Sequence, residues 1–242
     1  MEVHAHTHTP RKKWTHYLWE FLMLFLAVFC GFLAENQREH YVEHQREKQY
    51  IHSLINDLST DTAKIQAMTL LGKDAMKGLD SLVYAFDTLS LNDNDQLIKV
   101  YSLFYTWGST PFTVTFTDRT ISQLKSEGGM RLIRNQKVSD RVTTYYEMAA
   151  LCKEQVSIYY MDVNSLIELS YKFFDKLYTE KGHEKMVLAR QLFLNNPHYV
   201  REFINRTKDL KQLIENYHDL LSQMKTFAEN IIKTIKEEYH LK

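Results

Sequence analysis

Histidine and glutamate side chains form the few patterns in this chain that suggest metal binding or proton transfer. Three histidines alternate near the amino terminus, a second pair is spaced four residues apart, and one Glu-x-x-His motif follows later (His4, His6 and His8; His40 and His44; Glu180 and His183). A protein metal site needs three or four converging ligands, and no further ligand set is evident beside these groups. We therefore expect no metal and no cofactor, and we interpret residues 1–13 as a disordered tail.

Catalytic machinery usually leaves local patterns, such as a nucleophile beside an orienting base, a phosphate-binding loop or paired Glu-x-x-His motifs. None of these patterns occurs, so we expect no catalytic residues and a protein that is not an enzyme. Basic and acidic residues balance at 30 each, which argues against nucleic acid as a partner. The two cysteines, Cys30 and Cys152, are too few for a disulfide framework.

A run of fourteen apolar residues extends from Phe21 to Ala34. As a helix it would cover about 21 Å, which is less than the roughly 30 Å of a hydrocarbon core. Counting back to Tyr17 gives eighteen positions and about 27 Å, with aromatic residues at the amino-terminal interface, where they are favoured. We predict a transmembrane helix over residues 14–34 and the lipid bilayer as a partner.

One acid and a row of phenylalanines mark this segment as a candidate for assembly within the membrane. Glu20 either reaches headgroup water and nearby lysines or forms an interhelical or proton-linked site. The phenylalanines recur near i,i+4 spacing and would share one helix face. The candidate membrane-assembly residues are Glu20, Phe21, Phe25, Phe29 and Phe32.

The flanks of the span predict a retained anchor. A signal-peptide cut would need small residues, but Phe32 lies two before Ala34 and Phe29 precedes Cys30. A compact basic cluster at residues 11–13 precedes the span, whereas later basic residues are spread among acids. The positive-inside rule then favours a cytoplasmic tail at 1–13, with the rest of the chain on the other side of the membrane.

Residues 35–50 predict a polar juxtamembrane helix, because Glu, Arg and His dominate and opposite charges recur three residues apart. Apolar residues return at helical spacing from Ile51, and Leu71 belongs to this stripe. Long helices are expected at 51–89, 136–178 and 206–240, the first leading away from the membrane and the second returning. The predicted class is all-α, with a single amino-terminal transmembrane helix continuing into an elongated antiparallel helical bundle over 51–242.

A turn is expected between the shorter elements and the second long helix. Residues 112–116 alternate like a strand but have no partner, so they predict an extended loop. Thr117 or Asp118 would cap a short helix that Gly128 ends, because glycine readily adopts the left-handed conformation. Asn135 would cap the next helix, and Leu132 and Ile133 would pin the turn to the core. The structural turn residues are Gly128, Gly129 and Asn135.

These same residues carry a family resemblance. Leu124-Lys-Ser126 and Gly128, followed by Leu132-Ile-Arg-Asn135 and Tyr145-Tyr146, resemble a segment of single-pass membrane proteins from Bacteroidota, and residues 20–32 resemble the span of one branch. The resemblance covers most of the chain. It implies an amino-terminal span, a polar juxtamembrane helix and a helical domain, and it implies no activity, cofactor or catalytic residue.

Two functions follow as expectations. The first is a non-catalytic, membrane-anchored helical interaction module that senses or scaffolds in the cell envelope. The second is a membrane subunit that assembles through its span into a channel or a transporter-associated complex, which Glu20 and the phenylalanine face favour. In either case the expected partner is another copy of the chain or another membrane protein.

Overall fold

The computed structural model of the protein describes residues 13–89, 93–126, 128–174 and 196–241. Within these ranges there is no β-strand, and the helices are α1 (Trp14–Asp87), α2 (Asn94–Leu103), a π-helical turn (Phe104–Gly108), α3 (Arg119–Ser126), a 3₁₀ turn (Gly129–Leu132), α4 (Gln136–Ser170) and α5 (Pro197–Glu238). The all-α class and the apolar amino-terminal helix that continues into a helical domain are confirmed. The chain divides into two compact units, Met1–Tyr50 and Ile51–Lys242.

Several predicted boundaries shift. The first helix ends at Asp87 rather than at 89, and α4 ends at Ser170, after which residues 171–173 form turns. The last helix begins at Pro197, because Asn196 accepts a hydrogen bond from the His198 N–H at 3.0 Å and proline is favourable in a first helical turn. The histidines at 4–8 and the Glu180–His183 motif lie outside the described residues.

The long helices of the second unit do not alternate in direction as expected. In α5, Lys225 bonds Gln66 and Lys211 bonds Asp80 of α1 at 2.7 Å, so these two helices are antiparallel. However, α4 runs parallel to α1, because Tyr145 lies beside Asp61 and, just after the end of α4, Phe173 packs on Phe86 near the end of α1. The prediction that the second long helix returns is therefore wrong.

The extended segment 109–118, here called the strap, makes the return instead. The π-helical turn before it places the Trp107 indole against Gly78 of α1, where an added methyl group would lie 2.2 Å from the ring. Ten residues later the Thr117 N–H donates to Asp61. The strap thus runs back along α1 in extended form, which confirms the extended loop predicted at 112–116. As a result, α4 begins beside the start of the buried part of α1.

Apolar residues at alternating intervals of three and four make up the core face of α1. Fully or nearly fully buried members of the series are Leu54, Leu58, Ile65, Ala75, Leu79, Leu82 and Phe86. This spacing keeps the side chains on one helix face. Leu71, expected in the stripe, is 41% exposed, since it lies one position before the series. Beyond Leu82 the core becomes aromatic, with the Phe86 and Phe203 rings stacked at 4.5 Å and Phe104 next to Phe203 at 5.7 Å.

Candidate functional site

The four phenylalanines among the candidate assembly residues of the span lie on one exposed helix face. The Phe21 and Phe25 rings are stacked at 6.3 Å and the Phe25 and Phe29 rings at 5.9 Å, while Phe32 is 68% exposed. Within α1 one stretch has a mean hydropathy of 2.0 with none of its residues buried, so the helix is long and apolar enough to cross a membrane. Glu20 pairs with His16 at 3.0 Å, one turn back toward the amino terminus.

The juxtamembrane residues form local ion pairs. The Arg38 guanidinium hydrogen-bonds Glu35 at 2.9 Å, and this bond lowers the pKa of the Glu35 carboxyl. His44 lies 3.5 Å from Glu47, whose carboxylate is buried, so not every charged residue of this polar helix faces solvent. Nowhere in the described ranges do three or more His, Cys, Asp or Glu side chains gather as metal ligands.

The predicted turn residues adopt the expected conformations. Gly128 is left-handed with φ of 62°, and the Asn135 side chain accepts from the Val138 N–H at 3.2 Å to cap α4. The Asn135 amide also donates to Glu238 of α5 at 2.7 Å, so the cap joins both helices. Ile133 is buried and Leu132 only partly. These residues form a structural junction at the start of α4.

Two buried aspartates on α1 hold the strap and the start of α3, and the first is Asp61. This residue has no exposed surface. One carboxylate oxygen accepts from the Thr117 N–H at 2.8 Å and the other accepts from the Tyr145 hydroxyl at 3.0 Å. Lys64 lies 3.6 Å from the first oxygen and donates to the Thr115 carbonyl at 2.9 Å. A buried carboxylate is tolerated here because hydrogen bonds and a cation surround it.

Asp57, one helical turn earlier, holds the start of α3. Its carboxylate accepts from the backbone N–H of Thr120 at 3.1 Å, from the Thr120 hydroxyl, and from Arg119 at 3.1 Å. The first-turn N–H groups of a helix need acceptors, and for α3 the acceptor comes from another helix. The expected capping by the side chain of Thr117 or Asp118 is thus replaced by a contact that no local pattern encodes.

Tyrosines around the carboxylates remain protonated. Burial, together with the negative charge of Asp61, raises the pKa of Tyr145, and burial raises the pKa of Tyr217 to about 12.

The Tyr217 hydroxyl accepts from the Val114 N–H at 3.1 Å, so α5 also contacts the strap. The hydrogen bonds described for the two aspartates lead to the strap, to α3 and to α4, so this cluster attaches the returning segment to α1.

A groove of about 490 Å³ lies between the strap, α3 and α4. Its lining includes apolar and aromatic side chains such as Val114, Ile121 and Val156, and two exposed lysines, Lys125 and Lys153. Tyr146 also lines it, 8% exposed, and the Tyr146 hydroxyl has no hydrogen-bond partner among the described residues. Burial, with Asp57, Asp61 and Asp118 nearby, raises the pKa of this tyrosine.

No family model, curated protein or solved structure matches this chain. The geometry of the site therefore carries the functional argument alone.

The sequence-predicted candidates fall into two groups. Glu20 and the phenylalanines belong to the first unit, and Gly128, Gly129 and Asn135 belong to the second. Asp57, Asp61 and the groove were missed. A usable signal for Asp61 exists, because it occupies a position in the alternating series between Leu58 and Ile65 where an apolar residue is expected. The groove has no such signal, since its walls come from three separated segments.

Proposed function

We propose that the protein is a non-catalytic, membrane-anchored helical interaction module that senses or scaffolds in the bacterial cell envelope. One observation carries this proposal: a single helix, Trp14–Asp87, includes both the exposed apolar stretch and the core face of the domain. The domain's buried polar cluster serves attachment of its own chain. We also propose membership of the Bacteroidota family of single-pass membrane proteins that the turn segment and span resemble.

In this proposal the anchor remains uncleaved in the inner membrane. Carbonate extraction of membranes, followed by intact-mass measurement, tests it. The full chain should stay in the membrane pellet with its amino-terminal residues present. Release into the soluble fraction, or a mass that begins near Glu35, would contradict it.

The domain is proposed to lie in the periplasm, on the basis of the basic cluster at residues 11–13. Lys99→Cys supplies an exposed thiol on α2, whereas native Cys152 is buried and Cys30 lies in the span. A membrane-impermeant maleimide should label this variant on intact spheroplasts, and the unmodified protein is the control. Labelling that requires lysis would place the domain in the cytoplasm.

A second candidate function, a subunit that assembles through its span into a channel or transporter-associated complex, is favoured by the exposed row of stacked phenylalanines. Its partner is a second copy or another membrane protein. Native mass measurement in mild detergent should then detect a complex that Phe25→Ala weakens. Leu24→Ala, at a neighbouring exposed position off this face (68% exposed, against 53% for Phe25), is the matched control. Equal effects of both substitutions would remove the support for this face.

A further inference from the structure

The geometry points to the groove between the strap, α3 and α4 as a binding site for a single-chain amphipathic carboxylate, such as a fatty acid. This inference concerns the second unit and does not depend on the topology or assembly of the span.

The size and shape of the groove restrict its occupant. Its volume of about 490 Å³ lies within the range of roughly 300–1,000 Å³ that ligand pockets occupy. The lining on α4 extends from Tyr146 to Tyr160, which corresponds to about 21 Å of helix. A groove of this length can hold one extended chain along α4.

Hydrogen bonds already occupy part of the strap's backbone, which favours an acyl chain over a peptide that adds as a strand. A peptide docked beside the strap would need free backbone groups on it. The Val114 N–H is used by Tyr217, the Thr115 carbonyl by Lys64 and the Thr117 N–H by Asp61. An acyl chain needs no such partners and would contact the apolar walls formed by residues such as Phe116 and Val156.

The charges at the groove favour an acidic head group. Lys125 on α3 and Lys153 on α4 both line the groove, and neither forms an ion pair with another described residue. Asp118 is the one carboxylate among the described lining residues, so the two ammonium groups outnumber it there. Lysine stems can cover apolar surface while their charged ends reach a ligand.

Tyr146 supplies an independent indication. Its hydroxyl is buried without a partner in the described part of the chain, although its ring lines the groove. Buried hydroxyl groups are nearly always paired. The wall of the groove therefore contains an unsatisfied buried hydroxyl, which indicates a place for a polar group of a ligand.

Photocrosslinking tests the site in the full chain, reconstituted in nanodiscs of zwitterionic lipid. A diazirine derivative of palmitic acid is the probe, and peptide mapping locates the label. Label should appear in 113–125 and 146–160, and palmitate should displace it at least tenfold better than hexadecanol. Probe dissolved in the bilayer should also label the span, and this label is the internal control. A labelled span with an unlabelled groove would contradict the binding site alone, whereas an unlabelled span would contradict membrane anchoring.

Two variants decide the outcome. Lys125→Gln with Lys153→Gln should reduce groove labelling at least fivefold, whereas Lys99→Gln with Lys236→Gln, at exposed sites elsewhere, should not. Ala150→Trp fills the groove from an exposed position and should abolish the label at unchanged helicity. Label confined to the span, equal displacement by hexadecanol, or displacement by an acidic peptide instead would overturn the proposal.

Discussion

The Tyr145 hydroxyl donates to the Asp61 carboxylate at 3.0 Å across 84 residues of sequence, and both side chains are fully buried. Asp61 also accepts from the strap, so a single carboxylate connects α1, the strap and α4. The parallel arrangement of α1 and α4 depends on these contacts of Asp61, because they fix the position along α1 at which the strap ends and beside which α4 packs.

Removing this carboxylate should therefore destabilise the domain strongly. Asp61→Ala leaves the Tyr145 hydroxyl and the Thr117 N–H unsatisfied in the interior and should lower the free energy of unfolding by about 3–5 kcal/mol. Asp80→Ala breaks an exposed pair with Lys211 and should cost less than about 1 kcal/mol. Urea unfolding of the detergent-solubilised full chain measures both. Similar midpoints for the two variants would show that the strap is held by other contacts.

Two glycines in α1 provide a matched test of how the strap begins. Gly78→Ala would place a methyl group 2.2 Å from the Trp107 ring and should cost about 1–3 kcal/mol through displacement of the indole. At Gly72 the same methyl group would meet neighbours at an ordinary 3.9 Å. Gly72→Ala should instead stabilise the helix by up to about 1 kcal/mol. Melting curves with Trp fluorescence should move in opposite directions, and parallel shifts would refute the Trp107 contact.

The junction before α4 should not tolerate a charge. Ile133 is 4% exposed, and Ile133→Asp buries an unpaired carboxylate, so we expect a loss of at least about 3 kcal/mol. Gln123→Asp adds the same charge at an exposed position of α3 and should change stability by less than about 0.5 kcal/mol. Thermal melting followed by circular dichroism compares them. An unchanged melting temperature for Ile133→Asp would show that the junction lies outside the core.

Stability should fall at alkaline pH. Burial raises the pKa of Tyr217 from 10.0 to about 12 and that of Cys152 from 9.0 to about 11. The unfolded chain then loses these protons first, so their contribution to stability is complete below about pH 9 and declines as pH rises toward 12. Tyr217→Phe should make the decline less steep. Tyr84→Phe, at a tyrosine 69% exposed, is the control and should leave the slope as it was.

Local signals predicted the junction residues well. Asn135 caps α4 and Gly128 is left-handed because each conformation depends on a few neighbouring residues. The direction of α4 was mispredicted because it depends on contacts between residues 56 to 84 apart, such as Thr117 with Asp61 and Tyr145 with Asp61. The cap of α3 was mispredicted for the same reason. Residues just before this helix were expected to cap it, but Asp57 of α1 provides the cap.

The antiparallel contact of α5 with α1 joins residues 159 apart, Lys225 and Gln66, and this separation sets an order of events during synthesis. At about 5–20 residues per second a ribosome needs roughly 10 to 40 s to proceed from Ile51 to Ile235. Throughout that interval the apolar face of α1 has no α5 to cover it. In the proposed topology the chain is therefore inserted into the membrane well before its domain closes, and we expect envelope chaperones to be needed during this delay.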